Sequence, residues 1–353
     1  MEGWYKMKNY KLAVVGATGV VGRTVLKVLE EKKLPISEYV LFASSRSCGK
    51  KINFMGKEYI VQELTEHSFD EGFDFAIFSA GGDTSKKYSP IAASKGCIVV
   101  DNSSAFRMDK DVPLIVPEVN PEEIKNNHGI IANPNCSTIQ AVVALKPLDD
   151  KYKIKRIVYS TYQAVSGAGS KGIEDLENGI TQFSASKNVM SFVEGNVPNT
   201  DYLVKFPYPI FNNCLPHIDV FLDNGYTKEE EKMINETRKI LKRPDLKITA
   251  TTVRVPVFNS HSESINVEFE NDFDLDDLKN TLKEGCNIIV QDDINNTIYP
   301  LSSFANGHDE VFVGRIRRDY SVDYGVNLWV VADNIRKGAA SNAVQIVEKL
   351  IYS

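Results

Sequence analysis

Cys136 lies where the sequence changes from the pattern of a buried strand to that of a helix. Residues 129–132 form a short apolar run ahead of it, and apolar residues recur at helical spacing over residues 139–145. We therefore place this cysteine at the start of a helix, where backbone N–H groups favour a thiolate over a thiol. A free cysteine is more often a small buried hydrophobic residue, so two interpretations stay open at this point: a nucleophile or a core side chain.

Residues 16–22, Gly-Ala-Thr-Gly-Val-Val-Gly, join an apolar strand pattern to a helical one. Glycines at such a turn permit positive φ and close backbone approach, and the amides that open the helix can bind a pyrophosphate. The spacing is GxxGxxG instead of the commoner GxGxxG, and a tight turn without a ligand is the alternative. The segment predicts a dinucleotide-binding site.

The end of the second predicted strand indicates which dinucleotide is bound. Residues 43–47 are Ala-Ser-Ser-Arg-Ser and lack the carboxylate that commonly accepts from the ribose 2′-hydroxyl of NAD. Arg46, flanked by hydroxyl groups, suits a 2′-phosphate instead, which predicts NADP. The alternative is a solvated loop arginine.

A thiol combined with a nicotinamide cofactor suggests hydride transfer through a thioester, and this chemistry calls for a proton shuttle. Among the five histidines, His261 has the strongest local case, because a loop of small polar residues is expected to lead through it into a strand at Ser264. A surface or structural histidine is the alternative interpretation.

Other segments could bind the anionic groups of a substrate. Arg107 follows a strand of the nucleotide-binding pattern and could reach its ligand edge. The loop at residues 166–170, Ser-Gly-Ala-Gly-Ser, permits close approach to a ligand, with a plain bend as the alternative. Glu229 and Lys232 lie on a charged helical segment, where a solvated face with helical ion pairs is the alternative.

These residues must be positioned by two kinds of structure. Strand and helix patterns alternate over residues 11–101, as in βαβ units with a parallel sheet. From about residue 152 the strands are longer, which predicts an α+β domain with a mixed or largely antiparallel sheet. We therefore expect an α/β protein with a Rossmann-type NADP-binding domain at residues 8–132, completed by a C-terminal helix at 333–353, and a catalytic domain at 133–332. Residues 181–208 are polar, and an irregular segment is expected there.

Composition excludes several classes of function. The 353 residues carry a net charge of -6, which does not favour binding to nucleic acid or to an anionic membrane. The five cysteines lack the spacing of a disulfide framework or of a zinc site, so no metal is expected. No apolar run is long enough to cross a bilayer and no apolar leader is present, so a cytoplasmic location is expected.

The sequence resembles the aspartate-β-semialdehyde dehydrogenase family over almost its whole length. The resemblance is carried, in order, by residues 16–22, 43–47, 133–138, 161–169, 254–262 and 332–340. Six ordered segments are far more specific than one motif. The chain departs from many family members at Thr252, where they have cysteine, and at Ser260, where glycine is frequent.

The resemblance implies a role for each matching residue. Cys136 would be the nucleophile, His261 the acid and base, and Gln163 would orient the acyl group. Arg254 would bind the substrate α-carboxylate and Glu229 its ammonium. Further substrate contacts, including phosphate, are implied for Arg107, Asn135 and Lys232. Cofactor contacts are implied for Gly16, Thr18, Gly19, Val20, Val21, Arg46, Ser47, Ser166, Gly167 and Asn334.

The implied reaction is the NADPH-dependent conversion of 4-phospho-L-aspartate to L-aspartate 4-semialdehyde and phosphate through a Cys136 thioester. It serves the biosynthesis of lysine, threonine, methionine and, in bacteria, diaminopimelate. The resemblance also implies a homodimer, and a dimer of dimers stays open. Two alternatives remain: an N-acetyl-γ-glutamyl-phosphate reductase, whose substrate nitrogen carries no charge for Glu229 to bind, and a catalytically silent NADP-binding regulatory protein.

Overall fold

The apolar runs in the first third of the chain form a parallel sheet, in a computed structural model that describes residues 9–186 and 200–353. Its strand order is β5-β2-β1-β6-β7-β8. The strands are β1 (Tyr10–Val15), β2 (Ile36–Ala43), β5 (Gln62–Glu63), β6 (Phe75–Phe78), β7 (Ile98–Asp101) and β8 (Ile130–Ala132). A separate antiparallel hairpin consists of β3 (Lys51–Phe54) and β4 (Lys57–Ile60).

Helices cover both faces of this parallel sheet, which explains why its strands are apolar without alternation. On β1, Leu12 and Val14 join the core beneath α1 (Val20–Lys32) and the C-terminal helix α8 (Ser341–Tyr352). The intervening Ala13 and Val15 join a second core on the other face. Helix α2 (Gly82–Ser94) connects β6 to β7.

The second half of the chain forms a mixed sheet with the strand order β10-β9-β11-β14-β13-β12. The strands are β9 (Ile154–Gln163), β10 (Lys247–Arg254), β11 (His261–Phe269), β12 (Ile288–Val290), β13 (Val311–Asp319) and β14 (Gly325–Ala332). The helices are α3 (Cys136–Tyr152), α4 (Ser170–Ser186), α5 (Lys228–Ile240), α6 (Leu275–Lys283) and α7 (Ser302–Ala305). The predicted fold class is therefore confirmed.

The described residues divide into two compact units. The first contains the chain up to Asn135, together with Lys239–Lys242 and Gly338–Ser353; the second contains Cys136–Arg238 and Arg243–Lys337. Helix α8 packs on α1 within the first unit. The domain limits expected from the sequence stay a prediction, since they assign functions as well as residues.

Two local expectations need correction. His261 is not in a loop but is the first residue of β11, because its backbone already pairs with Ala332 of β14. The expected irregular segment begins later than residue 181, because α4 continues to Ser186 with Ile173 and Leu176 on its apolar face. Residues 187–199 of that segment lie outside the described residues.

Candidate active site

Three strand ends of the second unit meet at one edge of the mixed sheet. Strands β9 and β10 are parallel, so Gln163 and Arg254 at their carboxyl ends are direct partners. Strand β11 is antiparallel to β9 and therefore begins at the same edge, with His261. The sheet register thus brings together side chains that are separated by almost a hundred residues in the sequence.

Cys136 lies beside this edge as the first residue of α3. Its Sγ is 3.3 Å from Nε2 of His261. The thiol is partly exposed, whereas His261 is fully buried. Helix α3 is tied to β11 by Gln140, whose Nε2 donates to the carbonyl oxygen of His261 at 3.3 Å. A partly exposed sulfur at a helix start, next to an imidazole, has the surroundings of a reactive cysteine.

The backbone fixes the tautomer of His261. The N–H of Ala164 donates to Nδ1 at 3.0 Å, so Nδ1 must carry a lone pair and the proton of the neutral ring lies on Nε2. Burial, and then the positive charge of Arg254, lower the pKa of His261 well below its ordinary value. The histidine is therefore neutral near pH 7 and directs an N–H at the sulfur, which favours the thiolate.

Arg254 is almost completely buried, and burial lowers the pKa of its guanidinium. Its Nη1 donates to the carbonyl oxygen of Ala164 at 2.6 Å, while its buried Nε has no hydrogen-bond partner in the described part of the chain. A buried donor without a partner is costly unless a ligand accepts from it. The residue therefore fits a carboxylate ligand.

Gly167 leaves the space that this arginine and histidine need. A Cβ at this position would lie 2.9 Å from Nη1 of Arg254 and 3.3 Å from Cε1 of His261. Glycine is therefore needed at position 167 for steric reasons, in addition to the cofactor contact expected from the sequence. Ser166 next to it is buried and donates to Asn259 at 2.8 Å.

Two neighbours fix the side-chain amide of Gln163. The hydroxyl of Thr161 donates to its Oε1 at 3.0 Å, and its Nε2 donates to Glu229 at 3.2 Å. Glu229 is buried in the first turn of α5, one helical turn before Lys232, with which it forms an ion pair at 3.1 Å. The helix face that begins at Glu229 is thus part of the site and is not a solvated surface.

Lys232 is held between two carboxylates. Besides Glu229, it pairs with Asp219 at 2.7 Å. Burial alone would lower the pKa of Lys232, but the charges of Glu229 and Asp219 outweigh it and raise the pKa above its ordinary value. The ammonium therefore stays charged, as an anion-binding group requires.

Asn334 supports the turn before His261. Its Oδ1 accepts from the N–H of Ser260 at 2.8 Å, and its Nδ2 donates to Oγ of Ser166 at 3.0 Å. Ser260 has a φ of 72°, a conformation that favours glycine. Serine in place of the frequent glycine therefore strains the backbone at residue 260, and the hydrogen bond to Asn334 stabilises this conformation.

The first unit contains the remaining residues expected at the site. Gly16 has a φ of 83°, and a Cβ there would lie 2.5 Å from the carbonyl oxygen of Ser79. Thr18 and Gly19 precede α1, which begins with Val20 and Val21 and, among the described residues, has no side-chain cap and no acidic residue in its first turn. These features fit a helix start that binds the phosphates of a dinucleotide.

The other four expected residues of this unit differ in exposure. Arg46 is exposed and Ser47 half-buried in a short 3₁₀ turn after β2, as a contact to a cofactor ribose requires. Arg107 is buried and its Nη2 donates to the carbonyl oxygen of Asn102 at 2.8 Å. Asn135 is buried directly before Cys136.

Sequence reasoning missed three contributors to the site. The backbone of Ala164 fixes both His261 and Arg254, and main-chain roles leave no side-chain signal. Thr161 and Asp219 act through Gln163 and Lys232. The two-residue spacing of Thr161 and Gln163 on one predicted strand face was the available signal, whereas Asp219 follows no pattern.

The described part of the chain lacks a metal site and a membrane-spanning helix. Within residues 9–186 and 200–353, no cluster of three or more histidine, cysteine, aspartate or glutamate side chains could hold a metal ion. No helix in the same residues is long and apolar enough to span a membrane.

Two family models and several known proteins match this chain. Residues 11–127 match the family model for the NAD binding domain of semialdehyde dehydrogenase, and residues 145–337 match the model for its dimerisation domain. The aspartate-semialdehyde dehydrogenase of Aquifex aeolicus is 56% identical over 345 residues, which cover 97% of this chain and 98% of that protein. The chain belongs to the aspartate-semialdehyde dehydrogenase family.

Solved structures of aspartate-semialdehyde dehydrogenases align over nearly the whole chain. Aspartate semialdehyde dehydrogenase II from Vibrio cholerae, complexed with ASA, is 46% identical and covers 98% of this chain and 99% of its own, with a TM-score of 0.88. Aspartate semialdehyde dehydrogenase with NADP from Candida albicans is 27% identical and covers 97% and 98%, with a TM-score of 0.74.

The family resemblance and the oxidoreductase class expected from the sequence are confirmed. The comparisons give no support to either alternative, the N-acetyl-γ-glutamyl-phosphate reductase or the silent regulatory protein.

Proposed function

We propose that this member of the aspartate-semialdehyde dehydrogenase family catalyses the NADPH-dependent conversion of 4-phospho-L-aspartate to L-aspartate 4-semialdehyde and phosphate, with Cys136 as nucleophile. The observation that carries the proposal is the 3.3 Å contact between Sγ of Cys136 and Nε2 of His261, with Nδ1 of the same ring occupied by the N–H of Ala164. The reaction serves the biosynthesis of lysine, threonine, methionine and, in bacteria, diaminopimelate.

The thiolate of Cys136 attacks the acyl phosphate, and phosphate leaves to give a thioester. NADPH, when bound, supplies a hydride, and NADP accepts one in the reverse direction. The tetrahedral adduct at the sulfur then releases the aldehyde and restores the thiolate. In the reverse direction the aldehyde and the thiolate combine, and their adduct becomes the thioester by giving up a hydride, with no proton gained or lost. The sulfur therefore needs no general base once it is ionised.

His261 serves this sequence as a hydrogen-bond donor. In the resting site its Nε2–H points at Sγ and stabilises the thiolate. When sulfur becomes bonded to carbon, the same N–H would donate to the oxygen that gains negative charge. The ring need not become an imidazolium, which would place an N–H of Nδ1 against the N–H of Ala164.

Arg254 and Glu229 select the substrate. The unpartnered Nε of Arg254 and its neighbouring Nη suit the bidentate geometry of the α-carboxylate. Glu229 would bind the substrate ammonium, and Gln163, bonded to Glu229, would orient the acyl oxygen. An N-acetylated substrate brings an uncharged nitrogen to Glu229 and so loses the ion pair that a free ammonium would make.

The remaining roles follow from charge and location. Arg107 and Lys232 would bind the phosphate, and Asn135 would contact the substrate beside the nucleophile. The glycine-rich turn with Gly16, Thr18, Gly19, Val20 and Val21 would hold the NADP phosphates. Arg46 and Ser47 would contact the 2′-phosphate, and Ser166, Gly167 and Asn334 would also contact NADP.

The roles of the two domains and the oligomeric state are part of the same proposal. Residues 8–132 with 333–353 would bind NADP, and residues 133–332 would carry catalysis and form a homodimer, in keeping with the dimerisation model matched by residues 145–337. A dimer of dimers and a cytoplasmic location stay predictions.

The decisive experiment is the reverse reaction in the purified protein. We expect L-aspartate 4-semialdehyde to reduce NADP, with continuous turnover only when phosphate is present. We expect Cys136→Ala to abolish this reduction while leaving NADPH binding intact. N-acetylglutamate semialdehyde serves as the matched alternative substrate. A preference for it, or turnover by Cys136→Ala in a clean preparation, would overturn the proposal.

A further inference from the structure

The last turn of α5 carries a lysine whose ammonium is bound by backbone carbonyls. Nζ of Lys239 donates to the carbonyl oxygens of Arg107 at 2.8 Å, Asp109 at 2.7 Å and Val112 at 2.8 Å. An ammonium has three N–H donors, and the three carbonyls of this loop match that number. All four residues belong to the first unit.

This arrangement restricts the loop that carries Arg107. Charge-assisted hydrogen bonds are stronger than neutral ones, and three of them from one atom require the carbonyls to point at a common centre. The loop of residues 107–112 can satisfy that requirement only in a narrow range of conformations. Arg107 itself is buried, with Nη2 donating to the carbonyl oxygen of Asn102, so both its backbone and its guanidinium are fixed.

The helix that provides Lys239 also provides two residues of the proposed substrate site. Glu229 and Lys232 lie in its first turns, and Lys239 follows Lys232 by two turns, about 10 Å along the axis. The helix belongs to the second unit through Arg238 and to the first from Lys239 onward. The same helix thus carries Lys232 and, in its last turn, the lysine that binds the Arg107 loop.

We propose that Lys239 is a positioning residue for the phosphate site: it holds the backbone of the Arg107 loop, so that the guanidinium of Arg107 is held ready for the anion. This inference rests on the proposed function, which gives Arg107 and Lys232 the role of binding phosphate. Lys239 itself does not touch the substrate. Its contribution should therefore affect the step that uses phosphate and leave hydride transfer unchanged.

Lys242 supplies a matched control three residues later. It has the same charge and the same side chain, but it is more than half exposed and pairs with Glu122 at 3.0 Å and Glu123 at 2.6 Å. Exposed pairs of this kind contribute little to stability. Lys242→Met removes one positive charge from the same end of the helix without touching the Arg107 loop.

The test compares Lys239→Met with Lys242→Met in two measurements of the reverse reaction. The first varies inorganic phosphate at saturating L-aspartate 4-semialdehyde and NADP. We expect Lys239→Met to raise the KM for phosphate by about 5- to 50-fold, the scale of weakening one or two charge-assisted contacts. The KM for the semialdehyde should stay within twofold of the unmodified value, and Lys242→Met should change neither constant.

The second measurement omits phosphate and follows the rapid single turnover in which one NADPH forms per active site. We expect both variants to keep the rate and amplitude of this burst, because thioester formation precedes the entry of phosphate. An unchanged KM for phosphate in Lys239→Met would overturn the positioning role. A burst rate that falls in proportion to turnover would also overturn it, because such a loss indicates a general structural role.

Absence of a burst in the unmodified enzyme would instead overturn the proposed function, so the two failures are distinguishable. If Lys239→Met does not fold, Lys239→Gln keeps amide donors on a shorter side chain. It should show the same selective change at about 2- to 10-fold. A KM for phosphate equal to that of the unmodified enzyme would then overturn the inference.

Discussion

At the scale of single residues, the groups around His261 are tightly packed. Gly167 illustrates this, since its missing side chain leaves the space occupied by the guanidinium of Arg254 and the ring of His261. Neither can move freely, because the backbone of Ala164 holds both. The main chain therefore sets the geometry of the site as much as the side chains do.

Gly167→Ala should displace Nη1 of Arg254, which would lie 2.9 Å from the new Cβ. We expect kcat/KM for L-aspartate 4-semialdehyde to fall by about 10- to 100-fold, equal to roughly 1.4–2.7 kcal/mol of transition-state stabilisation. The thermal midpoint should change little, because Gly167 is at the surface. Steady-state kinetics and thermal unfolding check both points; wild-type kinetics would contradict the steric role.

His261 should remain neutral over the pH range of the assay. Burial, and then the charge of Arg254, lower the pKa of the ring well below 6.5, so protonation would begin only at more acidic pH. We expect nitrogen NMR of the histidine-labelled protein at pH 7 to show a neutral His261 with the proton on Nε2. An imidazolium signal, or a proton on Nδ1, would contradict the donor role that we assign to this ring.

At the scale of secondary-structure elements, much of the frame is readable from the sequence. The longer strands expected from about residue 152 begin with β9 at Ile154, and the glycine-rich turn lies between β1 and α1 as expected. The strands have a strong apolar pattern, and the turn contains glycines that mark a tight change of direction, so both can be recognised from the sequence. The start of β11 was misjudged, because Ser260 and His261 are polar and their strand pairing comes from the neighbouring strands, not from local propensity.

Strand β11 contains a second titratable group, two residues after His261. Glu263 is fully buried opposite Thr161, and its two oxygens have no hydrogen-bond partner in the described residues. Burial raises the pKa of this carboxyl well above its ordinary value of 4.5. The folded protein therefore retains the proton at pH values where the unfolded chain has released it.

Glu263 should consequently make stability depend on pH. Its contribution is fully present below pH 4.5 and is lost as the pH rises from there through the higher pKa of the folded state. Glu263→Gln keeps the shape and cannot titrate, so the variant should gain stability relative to the parent as the pH rises from 5 to 8. Denaturant unfolding of both proteins at the two pH values measures this difference. A constant difference between them would contradict a protonated Glu263.

At the scale of the whole molecule, the sequence predicted the two classes of structure and the membership of the family, because six segments match in order. It predicted less well how the active-site groups are supported. Lys239 binds three carbonyls of a loop that lies 127 to 132 residues earlier, and Lys232 pairs with Asp219 in an irregular segment 13 residues before it. Neither partner has a periodic pattern, so only the fold reveals them.

In the proposed reaction, Cys136 carries the substrate as a thioester that takes part in hydride transfer. The most direct test mixes the enzyme with L-aspartate 4-semialdehyde and NADP in the absence of phosphate, quenches in acid, and measures the intact and peptide masses. We predict one added aspartyl group per active site on the peptide that contains Cys136, in step with NADPH formation, removed by phosphate and absent from Cys136→Ala. NADPH formation without this adduct, or with an adduct on a different cysteine, would contradict the account.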